Sequence, residues 1–182
     1  MAHRALVAYR EDDRYRLHYA HWGDGLADAI TPRTPFGGRV AADAVQVPAR
    51  LADRLDLDSR GGYTGGTRVQ PRALAADCDP TAVLAAVDST VESLVVVDPD
   101  FTARTYLVCS LDVDGGEPLV VAGPVDDPLA SRELLVTAKE RLGELVDAGD
   151  LPAARARGAL RDVLERRVPV YSLDDASFLR TD

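Results

Sequence analysis

Lysine is almost missing from this chain: of 21 basic residues only Lys139 is a lysine, and the rest are arginine. The acidic side is lopsided in the same way, with Asp far outnumbering Glu, and it exceeds the basic side to leave a net charge of −9. Charge carried as Asp and Arg matches haloarchaeal proteins, whose hydrated carboxylates keep them in solution in molar salt; GC-rich coding favours the same residues. At such salt the Debye length falls to about 3 Å or less, which removes long-range attraction to nucleic acid. A net negative surface is also a poor generic binder of DNA, RNA or anionic membrane. Nucleic acid and membrane are therefore not expected partners.

Other scarcities exclude further classes. Aromatic residues are 5% of the chain against 46% hydrophobic residues overall, so the core is built mainly from Val, Leu and Ala. The two cysteines, Cys78 and Cys109, lie in different segments without CxxC spacing, which excludes a zinc ribbon or a disulfide framework. No apolar run approaches the ~18 residues needed to span a bilayer, and Arg4 and Arg10 bracket too short an apolar run for a signal peptide. The expectation is one cytoplasmic domain covering residues 1–182.

What is present reads as strands, then helices. Ala5, Val7 and Tyr9 alternate with other residues, as do Tyr15, Leu17 and Tyr19, around the polar turn Arg10 to Arg14. This predicts an N-terminal hairpin with Tyr9 opposite Tyr15 or Leu17, the registers that put both apolar sets on one face. Residues 23–78 hold a long, partly irregular, Gly/Pro-bearing excursion that includes "RGGYTGGTR" (Ser59 precedes it). Asp79 with Pro80 signals a short helix. The runs "SLVVVD", "ARTYLVCSLDV" and "PLVVAG", separated by Asp/Gly/Pro turns, predict a meander. Asp127 with Pro128 opens a long helix, a second helix covers about 151–167, and "VPVYSL" returns as a strand. The expected fold is α+β: a mainly antiparallel sheet made of N-terminal hairpin, central meander and C-terminal strand, with helices packed on one face.

Candidate chemistry is concentrated near the start, where all three histidines lie within the first 21 residues and the sole tryptophan follows. On a strand His18 and His21 point to opposite faces, so they cannot share a metal. If Tyr9 faces Tyr15, however, His3 faces His21, and Asp24 could add an oxygen, making His3, His21 and Asp24 a possible divalent-metal site for hydrolytic chemistry. Trp22, Arg60, Tyr63 and Arg68 are candidate ligand-binding residues, an aromatic and a glycine loop flanked by arginine being able to stack on a ring or cradle an anion. The segment with Arg155, Arg157 and Arg161 superficially suggests nucleic-acid binding, but its apolar stripe favours a helix lying on the sheet. No cofactor is predicted from any motif.

The stretches "HRALVAY", "LHYAHWG", "ITPRTPFG" and "VESLVVVDPDFTARTY" resemble an uncharacterised haloarchaeal protein family whose members begin with this hairpin. That resemblance implies a halophilic archaeal setting and no assigned activity. The reading that results is a small, non-catalytic binding or regulatory module with a protein or small-molecule partner, homodimerisation being open to it. A metal-dependent hydrolase-like enzyme and a nucleic-acid binder are the alternatives.

Overall fold

The computed structural model describes residues 3–38, 67–70 and 72–180. Seven strands form one sheet: β1 (Ala5–Glu11), β2 (Arg14–Ala20), β3 (Ala75–Cys78), β4 (Ser93–Val97), β5 (Ala103–Ser110), β6 (Leu119–Ala122) and β7 (Val170–Ser172). Their spatial order is β3-β2-β1-β4-β5-β6-β7. The helices are α1 (Leu26–Ala29), α2 (Pro80–Ala85), α3 (Pro128–Asp147) and α4 (Ala153–Glu165). The class is α+β as expected. The sheet, however, is mixed rather than mainly antiparallel, because β1 and β4 run parallel at its centre, with Ala5 beside Ser93 and Val7 beside Val95.

That correction traces to one misread strand. In β1 both parities are apolar, Leu6 and Ala8 as well as Ala5, Val7 and Tyr9, and all five are buried. A strand covered on both faces reads as a continuous apolar run, the pattern of a central strand in a covered sheet. The hairpin register differs for the same reason. A two-residue turn at Asp12 and Asp13, with Asp12 at φ 57°, pairs Tyr9 with Arg16 and Ala8 with Leu17. Tyr15 and Leu17 therefore share a face with Leu6 and Ala8, while His18 joins Val7 and Tyr9 on the other.

Helices consequently cover both faces, where one was expected. On one face Leu26 of α1 and Ile30 pack over Ala5, Val7, Val95 and Val97, and farther along Leu135 of α3 with Leu160 and Leu164 of α4 cover Leu107, Cys109, Val120 and Ala122. On the other face Val83 and Leu84 of α2, with Leu179, cover Leu6, Leu17, Leu94 and Tyr106. α2 and α3 start where Asp-Pro predicted, since Asp79 accepts from Ala82 N at 2.8 Å and Asp127 from Ala130 N at 3.0 Å. The excursion contains α1 and the edge strand β3; residues 39–66, which include Arg60 and Tyr63, lie outside the described residues.

α3 is 20 residues long yet fully buries only Leu135. Beyond the backbone of their own helix, Gly143 in α3 and Gly158 in α4 have no atom within 4 Å of the place an added Cβ would occupy. Alanine there meets no obstacle and removes the helix penalty of glycine. Gly158→Ala and Gly143→Ala should each raise stability by about 0.5–1 kcal/mol, seen as a higher midpoint in thermal unfolding. A lower midpoint in both variants would contradict the packing described for these helices.

Candidate functional site

The parallel pairing of β1 with β4 creates a corner that no local motif announces. Placing Ala5 beside Ser93 puts Arg4 next to Glu92, whose N donates to Arg4 O at 2.9 Å, and so brings His3, one residue earlier, close to the Glu92 side chain. The hairpin brings the chain after β2 back to the same place, where Gly23 N donates to His3 O at 2.6 Å. Only glycine fits this approach: a Cβ on Gly23 would stand 2.9 Å from Ser93 Oγ and 3.0 Å from Ala5 Cβ. Asp24 follows, and α3 lowers Arg132 onto the corner from above the sheet.

The four side chains interlock. His3 Nε2 lies 3.2 Å from Asp24 Oδ2 and Nδ1 lies 2.9 Å from Glu92 Oε2. Arg132 Nη1 is 2.8 Å from His3 Nδ1 and 2.9 Å from Asp24 Oδ1, and its Nε is 3.7 Å from Glu92 Oε2. With the ring neutral, Nε2 donates to Asp24 and Nδ1 accepts from Arg132 but cannot bond Glu92; with the ring protonated, Nδ1 donates to Glu92 and no longer accepts from Arg132. His3 and Arg132 are mostly covered while the two carboxylates are over a third exposed. Opposite ring nitrogens face the two carboxylates, so one ion cannot engage His3 together with both of them, and a guanidinium already occupies the space between. Among the described residues no group of three or more His, Cys, Asp or Glu side chains is placed to hold a metal.

Of the residues singled out in the sequence, His3 and Asp24 therefore meet and His21 does not join them. The two-residue turn puts the strand position opposite His3 at Trp22, shifting His21 by one and to the other face. His21 lies instead 3.4 Å from the Tyr19 hydroxyl, with its ring edge-on to Trp22 at a centroid distance of 5.3 Å. Trp22 is 54% exposed. Arg68 reaches back to this loop and donates to the backbone carbonyls of Trp22 at 3.3 Å, of Gly25 at 3.0 Å, and of Asp24. Its guanidinium thus braces the loop that carries Trp22. Beside the corner, a cavity of about 290 Å³ opens between α1, β5 and the chain entering α3, lined in part by Gly25, Asp28, Thr105 and Asp126.

His18 belongs to the core. It is fully buried between Tyr9 and Phe36, with ring centroids 5.3 and 5.5 Å away, and its Nδ1 lies 2.8 Å from Gln70 O. A carbonyl only accepts, so Nδ1 carries the proton. The cysteines are core residues too, as the sequence suggested for Cys109, whose thiol burial pushes up to about 11 against the opposing pull of Lys139. The arginines of α4 are engaged locally in part: Arg157 Nε stands 3.8 Å from Asp112 and Arg161 Nε 2.6 Å from Glu165. The helix lays Ala156, Leu160 and Leu164 against the sheet. No helix among the described residues is long and apolar enough to cross a membrane.

Glu92 and Arg132 are the members of the corner that sequence reasoning missed. Their separations from His3, 89 and 129 residues, leave no local spacing to detect. A glutamate directly before an apolar run and an arginine near the start of a helix are each unremarkable alone. No curated protein and no solved structure matches the chain. A family model does match, over residues 1–172, and the chain belongs to that family of unknown function, DUF6735.

Proposed function

We propose that this protein is a non-catalytic binding module of a halophilic archaeal cytoplasm that contacts its partner through Trp22 and His21. The observation that carries the reading is the exposure of Trp22. In a chain with so few aromatic residues, the large rings of Tyr9, Tyr15 and Tyr106 are buried, while the sole indole stands over half in solvent. It also stands on a fixed base, since Arg68 grips its loop from one side and the His3–Asp24–Glu92–Arg132 net holds Asp24, two residues on, from the other. A rigid exposed indole is the kind of side chain that dominates binding energy at interfaces, because little conformational freedom is lost when it is covered. The hydrolase reading lacks His21 as a third ligand, and no observation favours nucleic acid.

The test is a comparison of immobilised wild-type protein with Trp22→Ala in molar KCl, each exposed to extract of cells that express the protein. Loss of Trp22 should weaken retention of the bound partner at least about tenfold, the scale of an interface hot spot. The thermal midpoint should be unchanged, as expected for an exposed position. Emission from the only tryptophan should shift when the retained partner is added back. Equal retention by both proteins, with unshifted emission, would overturn the reading.

A further inference from the structure

The chain's one lysine occupies an unusual place. Lys139 is half-buried on α3 and lines an open groove of about 460 Å³ together with Val113, Val136, Gly143, Glu140 and Glu144. Everywhere else this sequence uses arginine for positive charge. Arginine holds its proton under all ordinary conditions, whereas a lysine ammonium can release one and present a nucleophilic amine. Arginine at position 139 would supply charge but no lone pair.

The groove is also kept open at a cost to the helix. Gly143 sits one turn beyond Lys139, in a position where glycine disfavours the helix relative to alanine. Beyond the backbone of its own helix, nothing lies within 4 Å of its missing Cβ, so packing does not demand glycine. A larger side chain there would project into the groove beside the lysine. We propose that this groove captures a small aldehyde or ketone with an apolar body, held as an imine on the Lys139 amine.

Burial lowers the Lys139 pKa, against the opposing influence of Cys109 and Asp112, which raises the neutral fraction of the amine. The other charged groups facing the groove are Glu140, Glu144 and Asp147. The step balances without any further reactant. The amine nitrogen forms a bond to the carbonyl carbon, and the carbonyl π pair moves to oxygen, giving a carbinolamine after proton transfer from nitrogen to oxygen. The C–O bond then breaks, the oxygen leaves as water after taking a proton from solvent, and nitrogen returns a proton to solvent as the C=N bond closes. Val113 and Val136 would cover the alkyl portion of the ligand.

Because the chain holds one lysine, trapping is easily read. Full-length protein is incubated with butanal and sodium cyanoborohydride at neutral pH, and the Lys139 peptide is quantified by mass spectrometry against Nα-acetyl-lysine in the same solution. Wild-type Lys139 should be alkylated faster than the free amine, the direction its lowered pKa sets, and the rate should saturate with butanal. Gly143→Leu should remove saturation and at least most of that advantage, whereas Gly158→Leu, on the neighbouring helix, should leave both unchanged. Circular dichroism confirms that each variant is folded. A Lys139 rate equal to or below that of the free amine, or a wild-type rate that rises linearly with butanal and is matched by Gly143→Leu, would overturn the proposal.

Discussion

Gly123→Ala should cost the protein about 3 kcal/mol of stability, through backbone strain and overpacking acting at one position. Gly123 follows β6 with φ +150°, in a region that favours glycine. A Cβ there would stand 3.0 Å from Tyr106 Cδ1, 3.1 Å from Thr105 O and 3.1 Å from Tyr106 Cα. Two of these neighbours are backbone atoms of β5, a central strand of the meander, so neither yields without disturbing strand pairing. The same residue donates from its N to Pro169 O at 3.0 Å, which ties the end of β6 to the approach of β7. Urea unfolding followed by circular dichroism, in salt-matched buffer, measures the loss. A change below about 0.5 kcal/mol, the range of an ordinary surface substitution, would mean that this corner is looser than described.

His18→Ala should be comparably severe, at about 3 kcal/mol, for different reasons. Removing the ring leaves a void between Tyr9 and Phe36 and takes the donor away from the Gln70 carbonyl. His18→Leu separates the two contributions. It fills much of the volume and leaves the carbonyl without its donor, so about 1–2 kcal/mol of the loss should remain. Equal stability of wild type and His18→Leu in urea unfolding would show that the hydrogen bond adds nothing. His3→Ala, by contrast, touches a partly exposed charge net and should be much milder, because exposed ion pairs contribute little.

What could be read from the sequence follows the range of the signal that carried it. Asp79-Pro80 and Asp127-Pro128 are self-contained cap signals, and the helices begin there. The meander was legible because its turns are short and its strands succeed one another in both chain and space. β3 was not, since Ala75–Cys78 is an edge strand with mostly exposed residues and no apolar period to mark it. The central strand is legible as a strand but not as one covered on both faces, because the alternation of Ala5, Val7 and Tyr9 stands out only if the equally buried Leu6 and Ala8 are passed over. From that single parity error came the wrong register, the pairing of His3 with His21, and the one-sided helical layer. The corner at His3 depends on Glu92 and Arg132, which only the parallel pairing and the descent of α3 bring near. No residue spacing encodes those encounters.

The same parallel pairing has a kinetic side. β1 and β2 can meet as soon as the hairpin has been synthesised, for their contacts are local. β1 nevertheless exposes apolar side chains on both faces, and its second neighbour is β4, with Ala5 waiting for Ser93. Long-range pairing of this kind is slow, since a large loop must close before any contact rewards it. A nascent chain therefore carries an early hairpin, apolar on both faces of β1, until β4 has been synthesised. The corner at His3 is completed only after that interval, because Glu92 arrives with β4 and Arg132 later still.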